Sequence, residues 1–148
     1  MNAAAQPHDL IAFALERLHS MQLSDGSFCV ELRLGAGGPI GRSPRYTLMA
    51  ALGLARTAEA GYQHDFDVPA IARSVLDSLD EDTLTPGDLG LCLWLDQRLG
   101  TDRADAILSR IGPAVAASGG LQGCEGMEIA WIAIGAAESV AQRSRLNN

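Results

Sequence analysis

Aromatic residues and cations are both scarce in this chain of 148 residues. Aromatic residues make up 5% of a sequence that is 47% apolar, so alanine supplies much of the apolar content and we expect a closely packed helical core. Eleven cationic residues against eighteen acidic ones give a formal net charge of -7. Clustered cations are what bind phosphate backbones, so a nucleic-acid partner is not expected. The length fits a single domain over residues 1–148.

Cysteines are few, and long apolar runs are lacking. Cys29, Cys92 and Cys124 are odd in number and far apart, which favours buried reduced thiols over a disulfide framework or a zinc site. No apolar run approaches the roughly 18 residues that span a bilayer. Residues 1–10 have neither the basic nor the apolar region of a leader peptide. We therefore expect a cytoplasmic protein with no membrane span.

Apolar residues recur at helical spacing in six segments. The predicted helices cover 8–21, 44–60, 68–79, 86–99, a stretch from 101 or 102 to about 112, and 127–142. The first, third and fifth are amphipathic, whereas the second, fourth and sixth are apolar over most of their circumference. This alternation is typical of stacked helical hairpins with an outer and an inner layer. The predicted fold class is all-α, with three stacked helical hairpins.

Local signals mark several helix boundaries. Ser43-Pro44 supplies an N-cap and a proline in the first turn, Asp67 can cap the third helix, and Thr85 with Asp88 forms a capping box. Gly112-Pro113 either kinks or ends the fifth helix. Residues 27–34 can form a short extended segment, and the rest of the glycine-rich stretch before Ser43 is predicted as a loop.

Two turns of similar composition precede inner helices. In MQLSDGSF, Asp25-Gly26 supplies a tight reversal with positive φ, and GGLQG occupies the equivalent place later in the chain. These turns, with the RYTLMAALGLA and GGLQGCEGMEIAWIAIGAA segments, resemble the repeats of protein prenyltransferase β subunits and of squalene and terpenoid cyclases. The resemblance implies an α/α toroid, of which this chain is about half.

The catalytic groups of that family do not transfer to this chain. Such a prenyltransferase holds zinc with an Asp, a Cys and a His, but no Asp-x-Cys pair occurs here and all three histidines lie in the first half. The acidic stretch at 80–82 is not the acid motif of the cyclases, and a solvated turn is favoured there. No metal and no cofactor are expected. Asp88, Glu125 and Glu128 remain the candidate catalytic acids.

Candidate ligand-binding residues come from the inner helices. Tyr46, Trp94 and Trp131 are the aromatic residues predicted there, and Cys124 follows the last turn. Cation stabilisation in a cyclase needs an aromatic-lined cavity, although core packing is the favoured explanation of the same residues. Trp131 is expected to be largely buried on the inner face of the sixth helix. All four are taken as candidates for contact with an apolar ligand.

Half a ring leaves apolar inner helices partly uncovered unless something packs on them. A homodimer, a second protein subunit or a tighter bundle would each bury that surface. We therefore carry two functional hypotheses. In the first, the protein is a non-catalytic or partner-dependent toroid-like module that binds a protein or an apolar isoprenoid-like ligand. In the second, it is a subunit of a terpenoid cyclase or prenyltransferase-type enzyme that is active only when assembled.

Overall fold

The computed structural model describes residues 6–33, 35, 37–79 and 83–146. For residues 145 and 146 it describes the backbone only. Within these residues the chain forms six α-helices and a two-stranded antiparallel sheet. In chain order the elements are α1 (Pro7–Met21), β1 (Cys29–Arg33), β2 (Gly38–Arg42), α2 (Pro44–Glu59), α3 (Val68–Leu76), α4 (Pro86–Leu99), α5 (Ala104–Ala117) and α6 (Gly126–Leu146). The mainly helical class is confirmed, with a small sheet added to it.

The predicted helix caps are confirmed in three places. The Ser43 hydroxyl accepts from the Tyr46 N–H at 3.1 Å, and an Asp67 carboxylate oxygen accepts from the Ala70 N–H at 2.9 Å. At α4 the capping box is complete. Each cap satisfies a backbone donor that the first turn of a helix leaves free, so these boundaries follow from local sequence.

The Asp25-Gly26 turn is also confirmed. Gly26 has a φ of 86°, a conformation that glycine adopts without strain. The Asp25 carboxylate accepts from the Ser27 N–H at 2.9 Å and from the Ser27 hydroxyl at 2.6 Å, and the Gln22 side chain donates to the Gly26 carbonyl at 3.3 Å. Phe28, which follows the turn, is buried. The turn is therefore a structural element that closes the end of α1.

The prediction of a loop after residue 34 is wrong at β2. Residues 38–42 pair antiparallel with β1, from Cys29 opposite Arg42 to Arg33 opposite Gly38. Gly38 and Gly41 have φ values of 64° and 70°, so β2 uses a backbone conformation that favours glycine. Glycine carries no side-chain periodicity, and the sequence pattern therefore gave no sign of this strand.

The start of α5 differs from its prediction. The helix begins at Ala104, because the Asp96 carboxylate accepts from the Thr101 hydroxyl at 2.6 Å and from the Arg103 N–H at 2.7 Å. These bonds hold residues 101–103 in a turn after α4. Pro113 lies inside α5, which continues to Ala117, so this proline does not end the helix.

The helices form two layers. In one layer α4 lies between α2 and α6, and in the other α3 and α5 pack against them. Arg45 joins the first turns of α2, α4 and α6, and Arg98 of α4 bonds Glu59 and Glu138 farther along α2 and α6, so these three helices run parallel.

Ten of the fourteen residues of α4 are buried. The α4–α6 contact is the most extensive between helices, and it depends on glycine: a Cβ on Gly90 would lie 2.5 Å from the Ile132 nitrogen, and one on Gly135 would lie 2.5 Å from the Gly90 oxygen.

The two terminal helices are much less enclosed than α4. None of the residues of α1, all of which the structure describes, is fully buried. Among the α6 side chains that the structure describes, only Glu128, Gly135 and Ser139 are buried. The expectation that Trp131 is largely buried is wrong. Trp131 is half-buried, because within its layer α6 has a neighbour only on the α4 side.

Candidate functional site

The first turns of α2, α4 and α6 meet at one end of the inner layer. Arg45 from α2 donates from Nε to Asp88 Oδ1 of α4 at 2.7 Å and from Nη2 to Glu128 Oε1 of α6 at 3.4 Å. Asp88 and Glu128 are both buried. The structure thus brings together two of the three candidate catalytic acids, and it adds an arginine between them.

The remaining carboxylate oxygens of this cluster also have donors. Asp88 Oδ2 accepts from the Thr85 N–H at 3.1 Å, and Glu128 Oε2 accepts from the Glu125 N–H at 3.2 Å. The Thr85 hydroxyl accepts from Arg45 Nη2 at 2.9 Å and from the Asp88 N–H at 3.3 Å. The cluster is therefore hydrogen-bonded throughout, as buried charges require.

The electrostatics of the cluster keep its charges in place. The Thr85 hydroxyl, the Glu125 N–H, the Arg45 charge and the Gly87 N–H lower the pKa of Glu128, against the opposing effect of burial. The hydrogen bond to Asp88, together with the nearby carboxylates, raises the pKa of Arg45. A general acid must hold a proton at working pH, and Glu128 is held in the ionised state instead.

Glu125 does not share this environment. It is exposed, and its backbone N–H donates to Glu128 Oε2. The acidic stretch at 80–82 lies outside the described residues. Of the sequence candidates, Asp88 and Glu128 therefore form, with Arg45, a structural clamp that joins three helices, and Glu125 immediately precedes α6 beside it.

An apolar groove begins next to this clamp. It has a volume of about 250 Å³ and lies on the face shared by the three inner helices, where it is lined by Met49, Leu52, Gly53, Arg56, Leu91, Trp94 and Trp131. The Arg45 guanidinium lies 5.4 Å from the Trp131 ring centroid, within the range of a cation–π contact. Both tryptophans of the chain thus line one groove.

The other two ligand candidates lie elsewhere. Tyr46 is 45% exposed and precedes Met49 by one turn of α2, outside the groove lining. Cys124 is buried, and its thiol contacts the Gly120 carbonyl at 3.6 Å. The structure does not place Cys124 among the residues that line the groove.

A second ion cluster joins α2, α4 and α6 farther along these helices. Arg98 bonds both carboxylate oxygens of Glu59, at 2.9 and 3.0 Å, and Glu138 at 3.2 Å. Nearby, the Trp94 indole N–H is buried and finds no acceptor among the described residues. Arg56, which lines the groove, donates to Glu59 at 3.4 Å, so this second cluster adjoins the groove.

A second apolar groove, of about 240 Å³, lies between α1 and α2. Both grooves are lined by Met49 and Gly53. Apart from the backbone of α2 itself, no described atom lies within 4 Å of the position that a Cβ on Gly53 would take, so Gly53 places no side chain between the two grooves. Sequence reasoning missed Gly53 and Met49, because an apolar helix does not reveal which of its residues lies at an opening.

The three histidines line one cleft of about 570 Å³ between α1 and the α2–α3 connection. His19 pairs with Asp65 at 2.9 Å, and the His64 Nε2–H donates to the Leu54 carbonyl at 3.0 Å. Among the described residues, no group of three or more His, Cys, Asp or Glu side chains is arranged to hold a metal ion. The cleft is thus a place where α1 is tied to the rest of the molecule.

Comparison with protein-family models, with curated proteins and with solved structures finds no match for this chain. Within the described residues, no helix is both long enough and apolar enough to cross a membrane.

Proposed function

We propose that this protein is a non-catalytic binding module, and that the groove on α2, α4 and α6 takes an elongated apolar ligand of the isoprenoid kind. The observation that carries the proposal is the meeting of Trp94 and Trp131 in one open groove, which shares Met49 and Gly53 with a second apolar groove. Apolar pockets with a few polar groups at their ends are the usual form of small-molecule sites.

The shape of the two grooves favours a long ligand over a compact one. The volume of each groove alone is below the lower limit of about 300 Å³ for ligand pockets. The combined volume of the two grooves exceeds that limit. A flexible apolar chain can cross above Gly53 and contact Met49 on the way. A rigid ring system of the same volume would clash with the α2 backbone, which lies between the two grooves.

The clamp of Arg45, Asp88 and Glu128 supports binding rather than acid catalysis. Every carboxylate oxygen in it already accepts a hydrogen bond, and the pKa of Glu128 is lowered. The alternative, a subunit of a terpenoid cyclase or prenyltransferase-type enzyme, has in its favour that these acids lie at the end of the groove. It requires a partner chain to supply the reacting groups.

Tryptophan fluorescence gives a direct test, because both tryptophans of the chain line the groove. We expect farnesol, a linear isoprenoid alcohol, to change the emission in a saturable way. Gly53→Leu fills the passage between the grooves, so we expect it to weaken binding at least about tenfold, which corresponds to 1.4 kcal/mol.

Ala58→Leu is the matched control. Ala58 is exposed on α2, away from the groove lining, and we expect this variant to bind as the wild type does. A linear response with no saturation, or equal affinity in the Gly53→Leu variant, would contradict the proposal. Saturable binding of a short alcohol such as hexanol with the same affinity as farnesol would contradict the elongated ligand.

A further inference from the structure

The side of α6 that faces away from α4 is apolar and uncovered. Val140 is 66% exposed and Ile129 is 38% exposed. They are eleven residues apart, or about three helical turns, so they lie on the same side of the helix. Ala133 and Ala137 lie between them and are also exposed. We call these four residues the α6 edge.

The α6 edge ends in opposite charges. Glu125, at the N-terminus of α6, is exposed, as is Arg143 near the C-terminus. These two residues are eighteen positions apart, which is about five turns at 3.6 residues per turn, so they share one face with Ile129 and Val140. In the sequence, the midpoint between Glu125 and Arg143 lies within one residue of the midpoint between Ile129 and Val140.

We infer that the α6 edge is the interface of a homodimer, in which a second copy of α6 packs antiparallel across a two-fold axis. In that register Glu125 of each copy faces Arg143 of the other, and Ile129 faces Val140. A two-fold interface must be complementary to itself, and the common midpoint gives the edge this property. This inference does not depend on the proposed ligand groove, which lies on a different face of α6.

Small residues in the middle of the edge permit a close approach. The contact of α6 with α4 already shows such packing, since Gly90 and Gly135 let the two backbones meet. Ala133 and Ala137 offer the second copy a similar surface. Burial of Ile129 and Val140 in both copies then supplies the apolar part of the interface.

Two electrostatic terms oppose the dimer, and neither is large. Arg143 already bonds Asp105 at 2.7 Å, with side-chain exposures of 57% and 93%, and an exposed pair of this kind exchanges partners at little cost. Each copy carries a formal net charge of -7, but repulsion between distant surface charges is screened beyond about 8 Å at physiological salt.

Sedimentation equilibrium on the wild-type protein tests the inference. We expect the average mass to rise toward that of two chains with a dissociation constant of about 10–100 µM, the weak range typical of small interfaces. Glu125→Arg and Arg143→Glu each place like charges opposite one another, so we expect each to weaken association at least about fivefold. The double variant restores both pairs and should recover dimerisation.

Met49→Glu is the control for an interface at the groove, and it should leave dimerisation unchanged. A monomer at all concentrations up to roughly 300 µM overturns the inference. So does a dimer that both single charge variants leave intact, or one that Met49→Glu abolishes. Failure of the double variant to recover association, with its circular dichroism unchanged, overturns the antiparallel register.

Discussion

At the scale of single residues, Glu128 combines burial with charge. Its side chain is 10% exposed, yet its pKa is lowered by the hydrogen bonds and the arginine around it. A carboxyl group whose folded-state pKa lies below its unfolded value stabilises the folded state above the unfolded pKa, about 4.3 for Glu. That stability is lost as the pH falls through the folded-state pKa.

We therefore predict that Glu128→Gln reduces the acid sensitivity of the protein. Urea unfolding at a series of pH values between roughly 3 and 7 measures this. The wild type should lose stability on acidification more steeply than the variant, since the variant has no carboxyl group to protonate there. Glu31→Gln, which removes an exposed carboxylate paired with Arg33, is the control for loss of one negative charge. Equal slopes for wild type and Glu128→Gln would contradict the account of the clamp.

The sequence identified Asp88 and Glu128 as candidates, but it did not predict that their side chains meet. Asp88 was recognisable as the carboxylate of a capping box, and Glu128 as an acid close to the last predicted turn. Their meeting at Arg45 depends on three helix starts lying side by side, and no local signal specifies that. Trp131 was expected to be largely buried because its neighbours along α6 are apolar, but burial depends on which side of the helix another element covers.

At the scale of elements, the α4–α6 contact depends on small residues more than on large ones. A Cβ on Gly90 would meet the α6 backbone, including the Ile132 Cα at 2.7 Å. A backbone cannot rotate away as a side chain can, so the helices must separate. The starts of α2, α3 and α4 were predictable from caps that act within a few residues, whereas β2 and the α4–α6 contact were not, because glycine leaves no pattern of its own.

We predict that Gly90→Ala lowers the free energy of unfolding by about 1–3 kcal/mol, the usual cost of overpacking. Gly53→Ala is the matched control, since it is also a helical glycine and has open space at its Cβ position. It should be neutral or stabilising by up to about 1 kcal/mol, because alanine favours the helix. Thermal or urea unfolding of both variants decides the matter, and equal stability of the two would contradict the close packing described for α4 and α6.

At the scale of the whole molecule, the helices differ in how far their residues are buried. Helix α4 is enclosed by neighbours on several sides, whereas α1 has no fully buried residue among those described. The alternation of apolar and amphipathic helices predicted two layers. We also expected inner helices to be left partly uncovered, as α6 is. The sequence did not predict which side of α6 would be exposed, since exposure depends on neighbours and not on composition.

Hydrogen exchange should follow this gradient. We predict that amides of α4 exchange most slowly and approach global unfolding, and that amides of α1 exchange through local opening. Exchange followed by mass spectrometry of peptic peptides measures both helices in one sample. Protection of α1 equal to that of α4 would contradict the description of α1 as peripheral.

The parallel course of α2, α4 and α6 has a consequence for the clamp. Each helix carries a macrodipole whose positive end is its N-terminus, so three positive ends meet where Arg45 lies. A guanidinium alone would be repelled there. Asp88 and Glu128 offset both the arginine and the helix ends, and neutralising the two together would leave Arg45 in a positive field. Asp88 and Glu128 therefore offset a positive charge at the three helix N-termini that would otherwise oppose the parallel arrangement of these helices.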